Sequence, residues 1–323
     1  MADVLFCSSR PLDRAENLKA VWDAFDGGKE FARIRPNGTC PEAEGAERDG
    51  RKVVVTDEFL KTIHGKDRVK VVHVGHGVTG GKSYGLDQRV KYYSPEQTAQ
   101  VDYFVVTSST GIPFAASQAG IPCHRVLPLG MPRTDAIVGS SKGDGGTPLA
   151  SSRRAYLFAP SFRAGWEPKA PRIDWGAVDG MLEDYETVYV KRHMMTRAPL
   201  VDVPCEHVVE IGPDEPSTPY VIDCDVLATD YSTILADGYI AGKPGVLFCP
   251  DWREYVEVRG MCLKYPDDYC SIVVTDEKSL VEGFRCAFLH GMGPIERSCR
   301  ELMAGACDGH STDRVVELVR SLL

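Results

Sequence analysis

The sequence predicts an α/β protein made of two Rossmann-like domains whose parallel sheets face a central cleft. Three observations lead there. Short β-branched runs alternate with segments of helical period. The alternation occurs twice, on either side of one stretch dominated by Gly, Ser and Pro. A chain of 323 residues also suits two domains of about 150 residues each.

In the first half, Val4–Ser8 reads as the opening strand. Met1, Ala2 and Asp3 supply no basic region ahead of it, so this end reads as strand rather than signal peptide. Leu12–Phe25 carries Leu18, Val21 and Phe25 at helical spacing. Arg51–Thr56 and Val69–Val74 are short β-branched runs of the kind buried in parallel sheets, and Asp102–Thr107 and His124–Leu127 continue the series. Thr110–Ala119 reads as a helix closed by Gly120. No apolar period survives in Gly139–Pro148. The predicted domains are therefore 1–139 and 152–323, joined by a linker at 140–151. In the second half, Arg154–Ala159, Thr187–Lys191, His207–Ile211, Asp225–Ala228 and Gly245–Phe248 read as strands. Ser232–Ala241, Glu277–His290 and Thr312–Leu323 read as helices, the last of them free to pack back on the first domain.

The 43% hydrophobic content can fill real cores, which excludes a disordered chain. No apolar run approaches the roughly 18 residues of a membrane span. A net charge of −9 argues against a nucleic-acid partner, although a local basic site stays open. The 11 cysteines show no paired spacing and read as reduced thiols of a cytoplasmic protein. A peripheral place at a membrane stays open.

Parallel sheets bind ligands beyond the carboxyl ends of their strands, so functional residues are sought there. After Val69–Val74 comes a glycine loop from Gly75 to Gly85, containing His76, Gly77, Gly80, Gly81 and Lys82. Glycines let backbone N–H groups approach an anion, and Lys82 adds charge. The alternative is a flexible turn. The loop formally matches a dinucleotide fingerprint, but the next strand lacks the acidic residue for a ribose. A P-loop would need glycine where His76 stands. His76 is either a surface or capping imidazole, or a base beside a phosphate. His73, in the preceding strand, is expected to point into the sheet packing.

In the second half, Arg163 follows one strand, Lys191, Arg192 and His193 end another, and Asp230, Ser232 and Thr233 lie between a third and its helix. Arg163 reads as a phosphate clamp or a solvated surface arginine. Ser232 and Thr233 read as an anion site or as an ordinary helix cap. Asp223-Cys224-Asp225 mimics a metal-binding pair of acids, but two acids underspecify a metal site, and it reads as the start of a strand. Three strand ends with anion-binding chemistry in one domain favour a phosphorylated ligand.

Taken in order, these segments resemble the CDP-glycerol glycerophosphotransferase family, the teichoic-acid primase and polymerase group. The family pattern W-H-G-T-x-x-K corresponds to Gly75-His76-Gly77 with Lys82 downstream. G-Y-P-R-x-D corresponds to Gly130-Met131-Pro132-Arg133-Thr134-Asp135, and Y-A-P-T-W-R to Phe158–Arg163. R-x-H-P and D-Y-S-S correspond to Lys191–His193 and Asp230–Thr233, followed by Lys243-Pro244, Pro250-Asp251, Tyr255 and Arg259-Gly260. The order holds from about residue 70 to 265. Gly75 replaces the family tryptophan, and Met194 the proline after the basic stretch.

The resemblance implies a GT-B fold, acceptor domain first and nucleotide-donor domain second. It implies transfer of a phospho-alditol, glycerol phosphate above all, from a CDP-linked donor to a glycan, lipid-linked or other hydroxyl acceptor, releasing CMP. His76 would be the catalytic base. Arg163, Lys191, Arg192, His193, Asp230, Ser232 and Thr233 would bind the donor phosphates, and Asp237 its ribose. Gly75, Gly77, Lys82, Arg133 and Asp135 would lie on the acceptor side. Neither a metal nor another cofactor is expected. A GT-B glycosyltransferase using a nucleotide sugar and a non-catalytic nucleotide-binding protein are the alternatives.

Overall fold

The computed structural model describes residues 2–75, 77–83 and 94–323. Within them the chain divides into two compact units, Met1–Val138 with Glu301–Leu323, and Gly139–Arg300.

The first unit is built on strands β1 (Val4–Ser8), β2 (Lys29–Arg33), β3 (Val53–Thr56), β4 (Lys70–His73), β5 (Tyr103–Val105) and β6 (Val126–Leu127). They form one parallel sheet in the order β2-β1-β3-β4-β5-β6. Helices α1 (Glu16–Ala24), α2 (Pro41–Glu44), α3 (Pro95–Thr98) and α4 (Gly111–Ala119) lie between them. Side chains alternate across a strand, so Val4 and Phe6 of β1 join Leu18 and Val21 of α1 in one core, while Leu5 and Cys7 join Ala43 of α2 in another.

The sequence predicts one helix over Leu12–Phe25. The structure has a 3-10 turn at Leu12–Arg14, a break at Ala15 (φ −96°, ψ 67°), and then α1. Strand β2 escapes the sequence pattern because it is an edge strand of polar composition (Lys29, Glu30, Arg33) paired only with β1.

The second unit carries β7 (Arg154–Phe158), α5 (Trp175–Asp179), β8 (Glu186–Lys191), β9 (Val208–Ile211), α6 (Thr218–Asp223), β10 (Val226–Thr229), α7 (Ile234–Ile240), β11 (Gly245–Phe248), α8 (Trp252–Arg259), β12 (Val273–Val274) and α9 (Glu277–His290). Its sheet is again parallel, in the order β12-β11-β10-β7-β8-β9. Tyr156, Phe158, Val188, Val190, Val226 and Val246 present one face to Leu280, Phe284 and Ala287 of α9, with the Tyr156 and Phe284 rings stacked 4.7 Å apart.

Helix α10 (Pro294–Ala304) precedes α11 (Ser311–Ser321), and from Glu301 the chain belongs to the first unit. There Val315, Val316 and Val319 of α11 join the core of α1.

The Gly-rich segment after Val138 is part of the second unit rather than a loose linker. Asp223 accepts hydrogen bonds from the backbone N–H groups of Gly143, Gly145 and Thr147 and from the Thr147 hydroxyl, at 2.8–3.0 Å. Asp225 pairs with Lys142 at 2.7 Å. The two acids that mimic a metal motif thus tie this segment down. A Cβ at Gly145 would collide with the Pro219 carbonyl, which explains a glycine there.

Both sheets have a point where strand order reverses. In the first it lies between β1 and β3, and in the second between β7 and β10. Doubly wound sheets open a crevice for ligands at such a point, beyond the carboxyl ends of the strands.

Candidate functional site

In the second unit, the switch point is bounded by the turn after β7, which carries Ser161, Phe162 and Arg163, and the turn after β10, which carries Asp230, Tyr231, Ser232 and Thr233. Asp230 joins them. One carboxylate oxygen accepts from the Ser161 N–H at 2.7 Å and the Tyr231 N–H at 2.6 Å, and the other lies 3.4 Å from the Arg163 guanidinium. The Arg163 side chain is 7% exposed. It also pairs with Asp251 at 3.0 Å and packs against the stacked pair of Tyr231 and Tyr255, 4.8 and 4.3 Å from the two ring centroids, which are themselves 3.7 Å apart. Burial opposes its charge, but Asp230 and Asp251 outweigh that and hold it more firmly protonated than usual. Arg163 is therefore the hub of a buried ionic and aromatic cluster rather than a surface arginine.

The cluster extends into α8. Tyr231 donates to Asp251 at 2.7 Å. Glu167 accepts from Tyr255 at 3.1 Å, from the Ala164 N–H at 2.6 Å, and pairs with Arg259 at 2.9 Å. Tyr255 and Arg259, four apart on one helical face, thus grip the loop that bears Arg163. The sequence marks Asp251, Tyr255 and Arg259 only through the family pattern. Glu167 carries no such mark, because nothing local distinguishes it from a surface glutamate.

The end of β8 presents three cations in different ways. Lys191 is buried and donates to the carbonyls of Arg192 and Gly212 at 2.8 and 2.9 Å. Burial lowers its pKa, with Glu215 and Asp214 pulling the other way. Arg192 pairs with Glu210 at 3.3 Å. His193 stacks on Phe162, centroids 5.7 Å apart, and its Nδ1 accepts from the Met195 N–H at 3.1 Å. That bond sets the tautomer: the neutral ring carries its proton on Nε2, a donor suited to a phosphate oxygen.

The helix predicted over Ser232–Ala241 is shorter: α7 has seven residues, and Ser232 Oγ accepts from the Ile234 N–H at 3.4 Å. Ser232 and Thr233 are half-buried, and Asp237 is buried within α7.

The first unit holds the other predicted residues. His76 lies outside the described residues. Gly75 just before it has φ +65°, donates to His73 Nδ1 at 3.1 Å and accepts from Asn17 Nδ2 at 2.9 Å. His73 is buried against the rings of Phe59 and Phe104, which also pack on each other. Gly77 and Lys82 are half-buried in the same loop. Arg133 donates its backbone N–H to Asn17 Oδ1 at 3.0 Å, and its side chain lies 3.8 Å from Glu16. Asp135 accepts from the N–H groups of Ser311 and Thr312 at 3.0 and 2.7 Å, so it caps α11. A Cβ at Gly130 would collide with Ser311 and the Ala306 carbonyl. The Gly130–Asp135 motif therefore seats the last helix as well as presenting Arg133. Among the described residues, no helix is long and apolar enough to cross a membrane.

A model of the CDP-Glycerol:Poly(glycerophosphate) glycerophosphotransferase family matches residues 37–321. The chain is 22% identical over 291 residues to the teichoic acid glycerol-phosphate primase of Bacillus subtilis, covering 84% of this chain and 74% of that protein. It is 24% identical over 227 residues to the teichoic acid ribitol-phosphate polymerase TarL of Staphylococcus aureus, covering 64% of this chain and 40% of that protein. The chain thus spans less than half the length of TarL. Among solved structures, the wall teichoic acid polymerase TagF soaked with CDPG superposes with a TM-score of 0.74 at 16% identity, covering 98% of this chain and 88% of that one. That likeness shows the fold, a GT-B pair of α/β units.

Proposed function

Because the chain belongs to the CDP-glycerol:poly(glycerophosphate) glycerophosphotransferase family, we propose that it transfers a phospho-alditol, glycerol phosphate above all, from a CDP-activated donor to an acceptor hydroxyl. The observation that carries this reading is the second switch point, where Asp230 binds the turns after β7 and β10 into one rigid edge. The family motifs of this unit converge there and on the neighbouring end of β8.

In this reading the acceptor oxygen forms a bond to the phosphorus bearing the alditol. The bond from that phosphorus to the CMP oxygen breaks, and CMP leaves. His76 takes the hydroxyl proton. Lys191, Arg192 and His193 supply positive charge and donors to the diphosphate, and Ser232 and Thr233 supply hydroxyls, with Asp237 assigned to the ribose. Positioned donors of this kind stabilise charge that develops on the leaving phosphate. Arg163 and Asp230 act chiefly by holding these groups in place. Charge neutralisation rests on fixed side chains, without a metal cofactor. The acceptor is a glycan, a lipid-linked sugar or another hydroxyl compound. A CDP donor and eleven cysteines that form no disulfide suit a cytoplasmic protein.

Isothermal titration with CDP, UDP and ADP tests the donor assignment. CDP is expected to bind best. A clear preference for UDP or ADP overturns it and favours a nucleotide-sugar enzyme.

A further inference from the structure

In the first unit the residue that leads into position 76 is held by both of its backbone groups. Gly75 donates its N–H to His73 Nδ1 at 3.1 Å, and its carbonyl accepts from Asn17 Nδ2 at 2.9 Å. Its φ of +65° lies in the left-handed region, which favours glycine. Space does not demand the glycine, since a Cβ there would meet nothing nearer than the Val105 carbonyl at 3.9 Å. The backbone conformation demands it, and His73 and Asn17 hold that conformation. Further along the loop, Thr79 exchanges hydrogen bonds with Thr107 in the turn after β5, each N–H donating to the other's hydroxyl at 3.0 Å. Thr107 donates in turn to the Met303 carbonyl. The glycine loop is therefore anchored at Gly75 and again at Thr79.

Asn17 is the unexpected anchor. It lies in the first turn of α1 and is buried. Asparagine is a weak helix former, and burying a carboxamide costs free energy unless its groups are bonded. Both are bonded here, and neither within its own helix: Nδ2 donates to the Gly75 carbonyl, and Oδ1 accepts from the Arg133 N–H at 3.0 Å. One neighbour requires a donor and the other an acceptor, so the amide fits only one way round. A single side chain thus joins the turn after β4 to the turn after β6, two strands away in the sheet. Because a peptide unit is planar, fixing the Gly75 carbonyl fixes the plane in which the backbone enters position 76.

We propose that Asn17 is a positioning residue for the transfer reaction: it locks the glycine loop to the Gly130–Asp135 motif and so fixes the backbone from which His76 acts. The inference rests on the reading of His76 as the base and deepens it by naming what holds that base's loop in place.

The test uses the full chain with CDP-glycerol as donor and a polyol-phosphate acceptor. Misplacing a reacting group by about 1 Å costs about 10²-fold, so Asn17→Ala should lower kcat about 10- to 100-fold while CDP affinity stays within about two-fold. In a His76→Ala background the same substitution should cost less than about two-fold, because residues that act through one another are not additive. Asn17→Asp separates the two bonds. Ionised, the new side chain only accepts and repels the Gly75 carbonyl; protonated, it donates to that carbonyl and accepts from Arg133 as the carboxamide does. Glu16 and Asp57, which line a small recess beside it, favour the protonated form, and Arg10 and Arg133 the ionised one. The kcat of Asn17→Asp, divided by that of wild type at the same pH, should therefore rise about five-fold or more from about pH 8 to about pH 5.5. Equal losses in the wild-type and His76→Ala backgrounds overturn the proposal, as does a ratio that stays flat with pH. If Asn17→Ala fails to fold, Asn17→Asp at about pH 8 is read in its place. If wild type releases no CMP from any CDP-alditol, or His76→Ala turns over like wild type, the underlying reading falls, and amide hydrogen exchange decides the clamp by itself. Exchange at Gly75 should then quicken about ten-fold or more in the Asn17 variants while Thr79 stays protected. Unchanged exchange at Gly75 overturns the clamp.

Discussion

The two sheets share a parallel architecture but use their switch points in opposite ways. In the second unit the turns after β7 and β10 are joined by a filled cluster, with Arg163 against the stacked Tyr231 and Tyr255 rings and paired with Asp230 and Asp251. In the first unit the corresponding strand ends surround a small recess lined largely by ionisable groups. One edge is rigid and its charges are mutually satisfied. The other keeps a buried carboxylate at a cost. A filled switch point suits a site that must hold donor-binding loops still.

The largest effect that would sharpen this contrast belongs to His76. Loss of a general base typically costs about 10²- to 10⁴-fold in rate. His76→Ala should lower kcat by that order while CDP affinity changes far less, measured by steady-state kinetics and calorimetry together. A defect confined to CDP binding would make His76 a phosphate ligand. His73→Gln is the control: it should lower the melting temperature more than the rate, since His73 is buried against two aromatic rings and holds the Gly75 N–H.

Next comes Arg163. Removing one partner of a buried ion pair leaves the other charge uncompensated and costs about 3–5 kcal/mol. Arg163→Ala should destabilise the protein by that order in urea unfolding and weaken CDP binding about 10- to 150-fold. Wild-type stability in the variant would break the idea that the second switch point is held by this cluster.

Asp57 should behave in the opposite sense. Its carboxyl is raised to about 6 in the folded protein from an ordinary value of 3.8. The folded state therefore holds the proton more tightly than the unfolded state, and stability falls as pH rises from about 4 to 6. Above that window the ionised group costs about 3 kcal/mol. Asp57→Asn should be more stable than wild type at pH 7.5, and the gap should close by pH 4. Urea midpoints at the two pH values decide it; a less stable variant at pH 7.5 would mean that Asp57 is ordinary structural scaffolding.

The smallest effect is expected at Phe162, which is 37% exposed and stacks on His193. Phe162→Leu should weaken CDP binding a few-fold without moving the melting temperature, and Phe162→Tyr should restore it. A change in melting temperature equal to the loss of affinity would make the stack a packing contact only.

Much of this was legible in the sequence. The β-branched runs mark most of the buried strands because parallel strands are apolar on both faces. Strands β2 and β12 escaped, the first because its edge position tolerates Lys29, Glu30 and Arg33, the second because two residues carry no period. Arg163 was found as a chemical group, but its burial depends on Tyr231, Asp251 and Tyr255, which only the sheet order and α8 bring to it. Asp135 read as a site residue because its motif is shared with Arg133, yet its carboxylate caps a helix far along the chain. Arg10, Asn17 and Asp57 left no local signal. Each is an ordinary polar residue until the strand order places β1, β3 and β4 side by side.

The most direct test is turnover. The full chain is incubated with CDP-glycerol, CDP-ribitol and a panel of UDP-sugars in the presence of a polyol-phosphate acceptor, and the released nucleotides are resolved by chromatography. CMP should appear from a CDP-alditol, in step with extension of the acceptor, and no UDP should be released from any UDP-sugar. UDP release from a sugar donor, or CDP binding with no CMP formed from either alditol, would contradict the assignment.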